Sequence, residues 1–241
     1  GNIDKIEVLG FVDGGKSVDW IESAGGKVLN LLTKGSLKHC KEQLRKTPEQ
    51  HISEIKDTVK YANEKGISVN IYLEDWSNGM RHSKDYVYQM IDSLQNEPIK
   101  RFMLPDTLGI LNPDEVYTFC KEIIDRYPHL HFDFHPHNDY DLAVANVYSA
   151  VKAGIQCVHV TVNGLGERAG NAPMSSVLAV IHDQLHLQTN INEREINRVS
   201  KIIETYSGIR IPNNKPIIGE NVFTQVAGVH ADGDAKNKLY Y

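Results

Sequence analysis

Phe134-His135-Pro136-His137-Asn138-Asp139 closes a short alternating run, His131 to Phe134, and leads into an amphipathic helical pattern. Side chains on an extended segment alternate between faces, so two imidazoles two positions apart point the same way. That arrangement offers two nitrogens to one metal ion. A second polar run, Asn163-Gly-Leu-Gly-Glu-Arg-Ala-Gly-Asn171, stands at the same point of the next strand–helix unit. Two such runs at equivalent positions predict one rim of an active site.

The unit is repeated along the chain. Strands are expected at Lys5–Gly10, Val28–Thr33, Val69–Leu73, Arg101–Leu104, His131–His135 and Val158–Val162, each followed by a helical pattern. Thr47-Pro48-Glu49-Gln50 reads as a capping box with proline at the first helical position. It precedes Ile52, Ile55, Val59 and Ala62, one apolar face at helical spacing that Gly66 ends. Asn112-Pro113-Asp114-Glu115 repeats this start before Val116, Phe119 and Ile123, and Asp139 is expected to open a helix that Gly154 closes. Alternating β and α elements imply a parallel sheet. The regular spacing, without a reversal of order, favours an α/β fold of the TIM (β/α)8 barrel type over a doubly wound sheet. A complete barrel needs eight units, and six are legible.

From about Leu185 the pattern changes. A further helix is expected over about Glu193 to Tyr206, then a Gly/Pro/Asn-rich passage, Ser207 to Asn221. Residues 1–190 are therefore assigned to the barrel, and residues 191–241 to the truncated start of a helical linker subdomain.

Composition bounds the function classes. The chain has 241 residues and a formal charge of -5, with 26 basic and 31 acidic side chains. It shows no Lys/Arg stripe, which argues against nucleic acid. No apolar run reaches the length of a membrane span. The start reads as cut within a domain, so the lack of a leader carries no weight. Cys40, Cys120 and Cys157 are odd in number and far apart; they read as reduced, inert thiols of a cytoplasmic protein.

Reactive side chains collect at the carboxyl ends of successive strands, where barrels build their sites. Glu74 ends the third strand, Asp106 and Thr107 follow the fourth, His135 and His137 end the fifth. Glu74 reads as a site carboxylate or as a solvated loop charge. Thr107 reads as a contact for a substrate carboxylate or as a turn hydroxyl. Asn171 reads as an outer metal contact or as the N-cap of a helix over Ala172–Ile181. Nitrogen and oxygen donors without a thiolate suit Mg, Mn, Co or Zn. Two histidines are too few for a complete site, and neither Asp139 nor Glu74 offers itself plainly as the missing carboxylate. Arg168 and Glu167 are expected to pair and brace their loop. His39, His51, His82, His159, His182 and His186 read as structural or surface residues.

The runs His135-x-His-Asn-Asp139 and Asn163-Gly-x-Gly-Glu-Arg-Ala-Gly-Asn171 resemble the DRE-TIM metallolyase superfamily, on the side of the 2-isopropylmalate, citramalate and homocitrate synthases. Ile71-Tyr-Leu-Glu-Asp-Trp-Ser-Asn-Gly79, Leu104-Pro-Asp-Thr-Leu-Gly109 and Gly228-Val-His-Ala-Asp-Gly233 look like the (R)-citramalate synthase branch and its relatives called isopropylmalate synthases. The resemblance implies an acyltransferase in branched-chain amino-acid biosynthesis that condenses acetyl-CoA with a small 2-oxo acid. It implies a divalent metal held by His135 and His137, Asn171 as a further contact, Glu74 as a catalytic carboxylate and Thr107 on the oxo-acid carboxylate. His230, Asp232 and Tyr240 belong, by resemblance, to a segment that reaches a site, often in the partner of a homodimer. The pocket walls are expected to include Leu9, Leu32, Tyr72 and Met103, bulk that suits pyruvate better than a branched acid.

Two departures stand out. The family's metal-binding aspartate lies in an Arg-Asp pair, and the 241 residues contain no such dipeptide; the first strand aligns with the family's third, so the first two β-α units are expected to be absent from this chain. Lys238 stands where the citramalate branch tends to have asparagine. Among competing chemistries, a lyase of 3-hydroxy-3-methylglutaryl-CoA is expected to carry a cysteine after the last strand, and none follows Cys157. An aldolase is expected to lack the Gly-Glu-Arg-Ala-Gly-Asn run. A non-catalytic regulatory or assembly subunit is the reading from another class; weak metal binding would mark it.

Overall fold

The computed structural model describes residues 2–222 and Thr224. Among them six strands form one parallel sheet in strict sequence order: β1 Val8–Phe11, β2 Val28–Lys34, β3 Ser68–Glu74, β4 Ile99–Asp106, β5 Phe132–Pro136 and β6 Cys157–Val158. Neighbours in sequence are neighbours in space throughout, which is the order of a barrel wall. The helices between them are α1 Lys16–Ser23, α2 Pro48–Glu64, α3 Trp76–His82, α4 Lys84–Leu94, α5 Pro113–Arg126 and α6 Ala143–Ala153, and β6 is followed by α7 Met174–Ala179 and α8 Ile196–Ser207. None of the described helices is long and apolar enough to cross a membrane.

Both capping boxes form. The Thr47 hydroxyl accepts from the Gln50 N–H at 3.2 Å while Gln50 accepts from the Thr47 N–H at 3.0 Å. Asn112 and Glu115 do the same at 2.9 and 3.1 Å. These starts set where α2 and α5 turn back over the sheet.

One face of each strand is buried under the helices. Leu29, Leu31, Val69, Ile71, Leu73, Phe102, Leu104, Phe132 and Phe134 pack against Val18, Ile55, Val59, Val87, Met90, Val116 and Val147 in one cluster. The alternate positions then face the concave side: Leu32, Lys34, Tyr72, Glu74, Met103, Asp133 and His135. The helix-facing positions of these strands are apolar except for the buried Thr33 and Asp106, so most of the polar residues expected to do chemistry lie on the concave side.

Several boundaries differ from those expected. β1 starts at Val8, since Ile3–Lys5 is a 3-10 turn, and the sixth strand shrinks to two residues. Asp139 does not open a helix; residues 138–141 form a turn, and α6 begins at Ala143, whose N–H donates to Asn138 Oδ1 at 3.0 Å. Gly154 closes α6 in the left-handed conformation, as expected. The helix expected at Ala172 begins at Met174 after Pro173, so Asn171 is not its N-cap. The last helix starts with a 3-10 turn, Glu193–Glu195. It is tied to the barrel by the Asn163 amide, which donates to the Ser200 carbonyl at 3.0 Å.

Candidate active site

His135 and His137 leave the end of β5 on the same side, with ring centroids 5.2 Å apart. His135 is packed edge-on by Tyr72 at 5.6 Å and by His159 at 5.4 Å. Burial is the main cause that pushes the His135 imidazole down to about 3, with the neighbouring His159 and His137 adding to it. Burial also lowers His137, and the Arg168 cation adds to the effect. Both rings are therefore neutral near pH 7 and keep a lone pair for a ligand.

The 163–171 run is folded back over these histidines. Asn171 bridges His137 in antiparallel fashion, its N–H donating to the Gly164 carbonyl at 3.0 Å, and its amide nitrogen lies 3.2 Å from His135 Nε2. The glycines are required by contact. A Cβ on Gly166 would stand 2.0 Å from Asn171 Oδ1, and one on Gly170 1.9 Å from the Gly164 carbonyl oxygen. Gly170 also has a φ of +86°, a conformation that side chains disfavour.

The rim joins three loops. Arg168 forms a two-pronged contact with Asp139, Nε and Nη2 each at 2.8 Å from a carboxylate oxygen, and Nη2 donates to the Thr107 carbonyl at 2.8 Å. The expected Arg168–Glu167 pair is the lesser contact at 3.7 Å, and Glu167 points to solvent at 83% exposure. Asp139 is thus taken up by arginine. Glu74 is paired with the Lys34 ammonium. The Thr107 hydroxyl oxygen accepts from the Asp75 N–H at 2.8 Å, which leaves its own proton free to donate.

The expected pocket residues separate into two groups. Leu32, Tyr72 and Met103 are consecutive partners in register across β2, β3 and β4, with Phe11 of β1 continuing the row. Leu9 pairs instead with Asn30 and is half exposed at 53%. Met103 is completely buried, beside Tyr72 on the neighbouring strand. Phe11 went unnoticed because strand position alone does not give register. His230, Asp232 and Tyr240 lie outside the described residues.

His159, expected to be structural or at the surface, is partly buried and paired with Asp133. Its Nε2 lies 3.1 Å from Asp133 Oδ2, deep on the concave side, and Arg101 Nη1 donates to that same oxygen at 2.9 Å. Asp133, Cys157 and His159 present ligand atoms within 4.8 Å of one another. Arg101 already neutralises the fully buried carboxylate, so this trio does not offer a free anionic ligand. Cys157 is partly exposed and unpaired, and burial pushes its thiol up. Cys120 is completely buried and unpaired, as expected.

The donors at the end of β5 fit a divalent cation. His137 Nδ1 is buried with no partner among the described residues, a state that is costly unless something binds there. Turning the Asn171 amide about its last torsion would bring its oxygen to the His135 side, as a shared cation would need.

A model of the HMGL-like family matches residues 13–203. A Methanopyrus kandleri protein that carries the provisional name (R)-citramalate synthase is 34% identical over 93% of this chain and 44% of its own length. The 2-isopropylmalate synthase of Sulfurisphaera tokodaii is 32% identical over 99% of this chain and 61% of its own length. The homocitrate synthase of Sulfolobus acidocaldarius is 34% identical over 81% of this chain and 41% of its length. The chain thus spans roughly half the length of these curated relatives. Among solved structures, an HMG-CoA lyase of Bacillus subtilis superposes with a TM-score of 0.72 at 20% identity, covering 85% of this chain and 71% of the lyase. That likeness is one of fold, and it makes the six-stranded wall part of a TIM barrel. With its two polar runs on adjoining strand ends and a family match over most of its length, the chain belongs to the HMGL-like family of the DRE-TIM metallolyase superfamily.

Proposed function

We propose that the complete protein joins the methyl carbon of acetyl-CoA to the keto carbon of a small 2-oxo acid and then hydrolyses the thioester, releasing CoA. The preferred acceptor is pyruvate and the product (R)-citramalate. The names carried by the relatives support a condensation of this class. The observation that carries the choice of acceptor is the edge contact of Tyr72 on His135, with ring centroids 5.6 Å apart. A phenol against the candidate ligand leaves less room for an isopropyl group than for a methyl group, and overpacking costs about 1–3 kcal/mol.

His135 and His137 would hold a divalent metal, with Asn171 as a further oxygen contact. When bound, that ion supplies Lewis-acid polarisation of the keto group. The remaining roles fall to the chain itself. Thr107 donates its hydroxyl proton to the acid's carboxylate, since its oxygen already accepts from Asp75. Glu74 serves as the carboxylate that handles protons at the reacting methyl group. Leu32, Tyr72 and Met103 wall the slot, while Leu9 stands outside their row.

In this reading residues 1–190 are the catalytic barrel portion and residues 191–241 begin a linker subdomain. His230, Asp232 and Tyr240 reach a site in a cytoplasmic homodimer. A second acceptor, 3-methyl-2-oxobutanoate, is favoured by the relative named as a 2-isopropylmalate synthase, which matches 99% of this chain. The test is CoA release from acetyl-CoA by the complete protein with Mn2+, comparing the two acids. Faster turnover with pyruvate supports the proposal. Faster turnover with the branched acid favours the second reading, and release with neither removes both.

A further inference from the structure

We propose that Lys34 is a positioning residue for Glu74: its ammonium holds the carboxylate in the one orientation from which it can act. The proposal rests on the reading of Glu74 as a site carboxylate and adds a residue that reading does not use. Lys34 ends β2, directly in register with Glu74 at the end of β3, and the two side chains are ion-paired. The lysine side chain is only 9% exposed. An ammonium in such a place is unfavourable without an anion, and Glu74 is the carboxylate paired with it.

The backbone of Lys34 is held from two helices. Its N–H donates to Nε2 of the buried His51 of α2 at 3.1 Å, and its carbonyl accepts from the Tyr86 hydroxyl of α4 at 3.0 Å. The next residue seals it against β3. Gly35 donates to the Glu74 carbonyl, and a Cβ on Gly35 would stand 2.4 Å from the Leu73 carbonyl oxygen. Gly79 of α3 closes the other side, where a Cβ would stand 2.0 Å from the Gly35 carbonyl oxygen. These contacts fix the stem of Lys34 and the stem of Glu74 relative to each other. A carboxylate so clamped loses little freedom on meeting a substrate, whereas an unclamped one samples orientations that do not react.

The test uses the complete protein in steady state with acetyl-CoA and its better oxo acid. Lys34→Met is expected to lower kcat about 10–100-fold, the scale of a small misplacement, with both KM values within about three-fold. Lys34→Arg, which keeps a cation, should recover at least about ten-fold of that loss when the loss is near its upper end. Glu74→Gln serves as the reference and should lower kcat at least as far. A Lys34→Met enzyme within two-fold of the parent overturns the proposal, as does a loss carried by KM alone. A Lys34→Arg enzyme no better than Lys34→Met, or a Lys34→Met protein that has lost its far-ultraviolet circular dichroism, assigns the lysine to folding and also overturns it. If Glu74→Gln itself retains full turnover, the reading of Glu74 fails, whatever Lys34 does.

Discussion

The amide nitrogen of Asn171 lies 3.2 Å from Nε2 of His135, across a sequence separation of 36. The contact exists because the loop after β6 doubles back to pair Asn171 with His137. It can double back so tightly because glycine stands at each point where chain meets chain. The Cβ of any other residue at position 166 would fall 2.0 Å from Asn171 Oδ1.

Gly166→Ala should therefore push Asn171 off His135 while leaving the barrel intact. Groups that orient a metal ligand are worth about 10–100-fold in affinity. Mn2+ titration of the complete protein by calorimetry should show a loss on that scale. An unchanged affinity would remove Asn171 from the candidate metal site.

Tyr72 packs on the candidate ligand His135 and stands in register with Leu32 and Met103. Tyr72→Ser opens space at that point. The ratio of kcat/KM for pyruvate over 3-methyl-2-oxobutanoate should fall by about 10–200-fold, the range that methylene-scale discrimination covers. Competition assays with both acids read this ratio directly, and a variant with the parent's preference would sink the pocket argument.

His51 is buried, and burial, its main influence, pushes its imidazole from 6.5 down to about 4. Between those two values the unfolded chain binds a proton that the folded chain refuses. Stability is thus intact above pH 6.5 and falls as pH drops toward 4, by about 3 kcal/mol from this group. His135, lowered to about 3, acts in the same direction over a wider window. His51→Gln keeps an acceptor for the Lys34 N–H but cannot take up the proton. Urea unfolding at several pH values between 4.5 and 6.5 should show a slope shallower by up to about one proton. A slope equal to the parent's would contradict the burial argument.

Arg168 knits the loops after β4, β5 and β6 through Asp139 and the Thr107 carbonyl. Its side chain is 40% exposed, so the pair contributes no more than about 1 kcal/mol to stability. Arg168→Lys loses the two-pronged geometry and keeps the charge. The melting temperature should move by only a few degrees, while the KM for the oxo acid rises because Thr107 is no longer held. A large fall in melting temperature with unchanged KM would reverse that assignment.

Much of the site was legible before any coordinate, because strand ends and helix starts are local. The capping boxes at Thr47 and Asn112 and the alternation through Phe134 are read within a few residues, and each appears where expected. Of the two readings of Asn171, the N-cap was open because its residue type fits that role, and nothing local shows that Pro173 precedes the helix instead. The expected Arg168–Glu167 pair forms only as the longer contact, at 3.7 Å. Adjacent residues suggested a contact, but the left-handed turn at Arg168 (φ +53°) sends the guanidinium toward Asp139.

The amino-acid sequence by itself determined the order of strands and helices, their caps, and the ranking of His135, His137, Glu74 and Thr107 at the strand ends. Those follow from hydrophobic period and capping chemistry, which act over one or two turns of chain. Only the tertiary structure decided which distant groups meet: Tyr72 and His159 on His135, Asn171 over it, Lys34 on Glu74, Arg101 and His159 on Asp133. These meetings depend on strand register and on glycine-lined approaches between loops. Register is set by packing of the whole sheet against its helices, and no short window of sequence contains it.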